Sequence, residues 1–268
     1  MRKLKIRCHS QYDHFPNHRA EPGEPALELW NDGKIWEYLQ TDQGNRCEGS
    51  ALMIEPRSLQ EENYRFLENN YWRFRHIFTH DSGLLAICPN ALPIIYWNTY
   101  ELNDEPKTKN ISMICGTKMM CPLHKERIRM ADELDDEIDI LGDIYGGDKV
   151  STHDAYAPYR FSVVIENHYD DIWLTEKVLN AFANKTIPIY FGARDIGHLF
   201  RTDGIIRARN LWNIPGIIRE LKGHEVEEYE SRLDAIEDNF RLVQNYKDFE
   251  DYFTSKYVYV IEEESGWN

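Results

Sequence analysis

Three consecutive residues, Thr175-Glu176-Lys177, place a hydroxyl, a carboxylate and an ammonium at the start of an expected helix. The free N–H groups and dipole of such a terminus suit a phosphate, and a lysine there adds a point charge for a diphosphate. Glu176 is acceptor-only and fits the two hydroxyls of a ribose. The same residues also make an ordinary cap, with Thr175 bonding the first turn and Glu176 complementing the dipole. A second polar triplet, Glu166-Asn167-His168, ends the apolar run that begins at Tyr159. In open α/β sheets, ligands sit at the carboxyl ends of strands, so this triplet raises the weight of the functional reading.

These groups need a βαβ unit to position them. Tyr159 to Ile165 reads as a buried strand, the helix starts near Thr175, and Thr186 to Phe191 is a second strand that stops at Gly192. The rest of the chain alternates in the same way. Lys3 to Cys8, Gly49 to Ile54, Phe74 to Thr79 and Leu92 to Tyr96 read as strands. Leu27 to Leu39 has helical spacing, although Asn31-Asp32-Gly33 can break it. Ser58 to Asn69 is an expected helix with Ser58 as N-cap, and Ser82 to Ala86 a short one. The polar stretch from Asn103 to Lys109 fits a linker. Alternation then restarts with a strand at Ile111 to Cys115, a helix at His124 to Leu134 and a strand at Ile138 to Tyr145. A short strand at Gly204 to Arg207 and a helix at Ile214 to Leu221 follow. Glu225 to Tyr246 reads as one long amphipathic helix with Leu233 and Leu242 among its apolar positions, and an aromatic segment closes the chain.

The expected fold is α/β, with two Rossmann-like halves facing across a cleft. Residues 1–104 form the first half and 105–246 the second, while the aromatic tail, 247–268, reads either as core or as a segment that crosses back over the first half. A cleft between two such halves is the default place for an active site.

Composition bounds the partners. The chain has 268 residues and a formal net charge of −15, which argues against nucleic acid or an anionic membrane as the main partner. Its five cysteines are odd in number, and none has the spacing of a metal knuckle; free thiols in a reducing compartment are expected. The N-terminus lacks the features of a signal peptide, and no window of about 18 apolar residues occurs. A soluble cytoplasmic protein without a transmembrane anchor is the expectation. His9, His14 and His18 fit no common metal site, so no metal is expected and their loop reads as solvated or acceptor-contacting.

The pattern Tyr-x-Phe, an apolar run, Glu-Asn, nine positions from Asn167 to Glu176, then Ile-Pro-Ile-Tyr-Phe-Gly resembles the donor-binding signature of the α1,3-fucosyltransferase family. It is more distantly similar to exostosin-like transferases. The likeness is dense over Tyr159 to Gly192, weaker from Ile111 to Leu134 and from Asp195 to Ile206, and limited to strand order before that. It implies a two-domain GT-B fold, with the tail at 247–268 packing back on the first half, and an inverting transfer with no required metal and no cofactor beyond the nucleotide sugar. It places donor-site roles on Asn167, Glu176 and Lys177, with Thr175 beside them. The donor-phosphate arginine falls on Arg127, with Arg129 near enough to be the counterpart. The family has Tyr two residues before the Thr, where this chain has Trp173. The implied donor is therefore GDP-fucose or another nucleotide sugar such as UDP-xylose.

Inverting transfer needs a base for the acceptor hydroxyl and positive charge for the departing diphosphate. Candidate bases stand at strand ends in the first half: Asp81 and Glu55 nearly level, Glu55 lying nearest to the family's catalytic Glu, and Asp13 third. His14 lies in the same loop as Asp13 and is a candidate for the glycan acceptor. Asp81 also fits a helix cap. The rival readings are a non-catalytic nucleotide or glycan binding module and a glycoside hydrolase built on Glu55 and Asp81.

Overall fold

A computed structural model of the chain describes residues 4–97 and 101–264; Lys3, the start of the first expected strand, lies outside them. The chain divides into two compact units, Met1–Tyr96 with Asp248–Asn268, and Trp97–Lys247.

The first unit begins with β1 (Ile6–His9), β2 (Leu27–Asn31), α1 (Ile35–Tyr38), α2 (Asp42–Arg46), β3 (Ser50–Leu52), α3 (Arg57–Asn70), β4 (Ile77–Thr79), α4 (Ser82–Ile87) and β5 (Ala91–Pro93). The five strands pair in parallel in the order β1-β2-β3-β4-β5. The strands are short, three to five residues each. The core joins Trp30, Tyr38, Met53, Tyr64, Leu67 and Ile77. The buried Tyr38 hydroxyl donates to the Arg73 carbonyl at 2.8 Å and accepts from Gly49 N–H at 3.1 Å.

Two sequence expectations fail here. Leu27 to Asn31 is a strand rather than the start of a helix, bonded to β1 on one side and β3 on the other. A strand buried on both faces carries apolar residues in both phases, and over five residues that mimics helical spacing. The chain then turns at Asp32, whose φ of +47° ends the strand. Ser58 does not cap α3: the helix starts at Arg57 with Pro56 in the cap position and no side-chain cap bond.

The second unit holds β6 (Lys109–Ile114), α5 (Pro122–Leu134), β7 (Asp139–Leu141), α6 (Thr152–Tyr156), β8 (Tyr159–Ile165), α7 (Glu176–Ala183), β9 (Ile187–Phe191), β10 (Ile206–Arg207), α8 (Ile214–Leu221), α9 (Glu225–Glu230) and α10 (Leu233–Val243). Its sheet is parallel, in the order β10-β9-β8-β6-β7, so β8 is central. Phe161 stands opposite Ile111 on one side and Ile187 on the other. The polar stretch expected as a linker is tied to this unit: Lys107 Nζ donates to the Ala157 carbonyl at 2.8 Å and to Thr186 Oγ1 at 3.1 Å. Burial pushes the Lys107 ammonium down to about 7.

The single long helix expected over Glu225 to Tyr246 is broken at Ser231-Arg232. Arg232 is drawn aside, donating to the Asp203 carbonyl at 2.7 Å and to Glu228 at 2.8 Å. Leu233 and Leu242 are exposed. The chain ends in α11 (Phe249–Lys256) and α12 (Val258–Glu264), which complete the first unit. Phe249 and Phe253 lie on Phe15, with ring centroids 5.7 and 5.1 Å away. The buried Glu250 carboxylate accepts from the N–H groups of Asn17 and His18, each at 2.8 Å, as a buried charge requires. Among the described residues, no helix is long and apolar enough to cross a membrane.

Candidate active site

The site grows from the end of β8. Val163, Val164 and Ile165 are buried, and pairing with β9 continues one step further as Glu166 N–H donates to the Phe191 carbonyl at 2.9 Å. Glu166 is 0% exposed. Its Oε1 accepts from Thr175 N–H at 3.0 Å, and its Oε2 accepts from Thr175 Oγ at 2.7 Å and Lys177 Nζ at 3.4 Å. Burial raises the Glu166 pKa, while Lys177 and the Thr175 bonds oppose the rise. Gly192 lets this carboxylate in: a Cβ there would lie 2.6 Å from Glu166 Cγ.

Thr175 caps α7 by accepting from Lys177 N–H. The loop before it is fixed from outside. Arg194 N–H donates to the Asp170 carbonyl at 3.0 Å, Asp195 N–H to the Asp171 carbonyl at 2.8 Å, and Tyr169 stacks on Phe191 at 4.7 Å. Lys177 Nζ also bonds Thr175 Oγ at 2.9 Å and Glu176 Oε1 at 3.2 Å. Burial works against the charge on Lys177, but Glu176 and Glu166 outweigh it and raise its pKa. Burial likewise acts to raise Glu176, and Lys177 overcomes it, so its carboxyl lies below the usual range. Both groups are thus charged near neutral pH.

A cavity of ≈ 310 Å³ opens over the ends of β6 and β8. Arg127, Glu176, Lys177 and Asn180 line it, with Thr152 and Tyr156 of α6 and an apolar set that includes Ile114, Val150 and Val163. Arg127 Nη1 donates to Asn167 Oδ1 at 3.2 Å, which links α5 to the strand end. Two cations, one carboxylate and the N-terminus of an eight-residue helix converge on a space walled by valine and isoleucine. That arrangement can hold an anion at one end and an apolar ring at the other.

The structure separates the two arginine candidates. Arg127 faces the cavity. Arg129, about 200° round the helix, bonds Glu126 at 3.0 Å and lies over the exposed Trp212 ring at 4.0 Å. Trp173 is buried edge-on to His168, 6.2 Å between centroids, outside the cavity lining. Thr175 faces Glu166, so it shapes the site from behind.

In the first unit, Asp81 caps α4 by accepting from Leu84 N–H at 2.8 Å. Arg57 grips both of its oxygens, each at 2.8 Å. Burial pushes this carboxyl up, but Arg57 and the cap bond prevail and hold it below the usual value. A carboxylate so engaged is a weaker proton acceptor than a free one. Asp13 is exposed and pairs with Arg19. Glu55 follows β3, with its N–H held by Asp32 Oδ1 at 3.2 Å and its carbonyl by Tyr64 Oη at 2.6 Å. His14 bonds Ser10 Oγ at 3.0 Å and Tyr96 Oη at 3.2 Å, and burial keeps its pKa low.

Sequence reasoning missed four contributors. Glu166 was seen as part of a triplet and given no task. Asp32 is buried and pushed up to about 7 by that burial, against bonds from the Glu55 and Ile54 N–H groups. Asn180 had no signal at all. The helix α6 did: Ser151 Oγ accepts from Asp154 N–H at 3.0 Å, a Ser-x-x-Asp cap that the sequence displays.

Residues 105–267, more than half of the chain, match the family described as glycosyltransferase family 10 (fucosyltransferase), C-terminal. Among solved structures, the chain is similar to that of an α1,3-fucosyltransferase, with TM-score 0.59, 13% identity, and coverage of 97% of this chain and 90% of that one. An α1,3-fucosyltransferase with GDP-fucose gives TM-score 0.51, 14% identity, and coverage of 91% and 92%. TarM gives TM-score 0.55, 11% identity, and coverage of 87% and 54%. At these identities the likeness carries the fold, two parallel five-stranded sheets of GT-B type. No curated protein matches.

Proposed function

The chain belongs to glycosyltransferase family 10, and from that premise we propose that it transfers fucose from GDP-fucose to a hydroxyl of a glycan acceptor, with inversion. The observation that carries this reading is the meeting of Arg127, Glu176 and Lys177 in one cavity at the N-terminus of α7. A solved relative holds GDP-fucose. Trp173, where the family has Tyr, lies outside the cavity lining, so this departure leaves the lining unaltered.

In the proposed step a base takes the acceptor proton as the acceptor oxygen bonds the anomeric carbon, and the bond to the diphosphate breaks with its electrons passing to phosphate. Arg127, Lys177 and the N–H groups of α7 meet that charge. Glu176 takes ribose hydroxyls. For the base we favour Glu55, whose backbone is anchored on both sides by Asp32 and Tyr64 at the end of β3. The free thiols of all five cysteines fit the cytoplasm as its compartment.

The test is incubation with GDP-fucose and a panel of glycans, measuring GDP release and the anomeric configuration of the product. A new glycoside inverted relative to the donor is expected. Transfer from UDP-xylose alone would reassign the donor, and nucleotide binding without release from any nucleotide sugar would make the protein a binding module.

A further inference from the structure

Asn180 stands one helical turn beyond Glu176 on α7, on the same face, and lines the same cavity. The residue is only 9% exposed, and its Oδ1 has no hydrogen-bond partner among the described residues. Buried amide oxygens are nearly always bonded, and asparagine is a weak helix former. An acceptor kept at such a cost is one that a ligand's donor satisfies. The apolar part of the cavity lining includes Ile114, Val150 and Val163. A phosphate brings only acceptors at neutral pH and does not suit an orphan oxygen between apolar walls. A flat ring with N–H groups on its edge does. The order along α7 agrees: the helix terminus and Lys177 for the diphosphate, Glu176 for the ribose, then Asn180 about 6 Å further along the axis, where a base follows its ribose.

We propose that Asn180 reads the base of the donor nucleotide, its Oδ1 accepting from the adjacent N1–H and N2–H of guanine. This rests on the donor reading above. The test is calorimetric titration of GDP and UDP into the wild type, Asn180→Ala and Asn180→Asp. Loss of the acceptor in Asn180→Ala is expected to weaken GDP about tenfold. Asn180→Asp offers two acceptor oxygens to the two guanine N–H groups and nothing to a uracil carbonyl, so the preference for GDP over UDP is expected to rise about tenfold. Either an Asn180→Ala protein that binds GDP within twofold of wild type, or an Asn180→Asp protein whose preference is unchanged or lower, overturns the inference. If Asn180→Ala does not fold, Asn180→Asp decides alone. A wild type that binds GDP, combined with indifferent variants, sinks only this inference. A wild type that binds neither nucleotide brings down the donor reading and this inference with it.

Discussion

The ends of β8 and β4 are built from the same parts and do different things. Each is a buried parallel strand that leads through a carboxylate to a capped helix, the carboxylate itself being the cap at β4. Each carboxylate is buried and paired with a cation, Glu166 with Lys177 and Asp81 with Arg57. At β4 Arg57 spans both oxygens of Asp81 and also meets Glu68 and the Tyr64 ring. At β8 the carboxylate takes only part of the cation, and Lys177 still lines a cavity beside Arg127. A charged residue at a strand end is therefore open to a ligand or engaged within the fold according to whether its partner leaves it facing open space.

Single substitutions can break this contrast. The largest effect is expected at Lys177→Ala, where loss of one cation facing the leaving group lowers kcat per folded molecule by about 10²- to 10³-fold, and the melting temperature falls as well because the buried Glu166 loses its partner. Glu166→Gln keeps the shape and removes the charge that positions Lys177 and Thr175. Turnover is expected to fall about 10- to 100-fold, since a small displacement of a positioned group suffices. Asp81→Asn is expected to do the reverse, costing about 3 kcal/mol of stability in a denaturant titration, because Arg57 is left without its buried partner. Turnover per folded molecule should stay within about twofold of wild type, since Arg57 and the α4 cap engage both oxygens of Asp81. A kcat collapse in Asp81→Asn at full folding would favour Asp81 as the base.

The smallest effect is one of pH. The folded Asp81 carboxyl lies below its ordinary value, so the folded state binds fewer protons than the unfolded one. The stability it contributes is then present above the unfolded value near 3.9 and is lost as pH falls through the lower, folded one. Thermal melts from pH 6 down to pH 2 should show wild type losing its advantage over Asp81→Asn at the acid end. A constant gap would contradict the Arg57 pairing.

The β8 to α7 stretch was legible because each level agreed: an apolar run, a Thr cap, acidic and basic residues in the first turn, and a second apolar run. The end of β4 was legible as a cap or a base, whereas the grip of Arg57 on Asp81 from 24 residues away was not. Leu27 to Asn31 was misread because five residues buried on both faces carry no usable period. The break at Ser231-Arg232 has no Gly or Pro to announce it, since contacts with Asp203 and Glu228 make it. Arg127 and Arg129 are separated by the rotation of α5, which sequence spacing offers as two opposite faces without saying which one meets the cavity.

The central claim is that Lys177 and Arg127 hold the diphosphate of the donor. Titration of GDP into wild type, Lys177→Ala and Arg127→Ala, with Asp81→Asn as the control, tests it directly. The account predicts GDP binding by wild type and Asp81→Asn alike, and affinities about tenfold or more weaker in the two cavity variants. Undiminished GDP affinity in either cavity variant would contradict it.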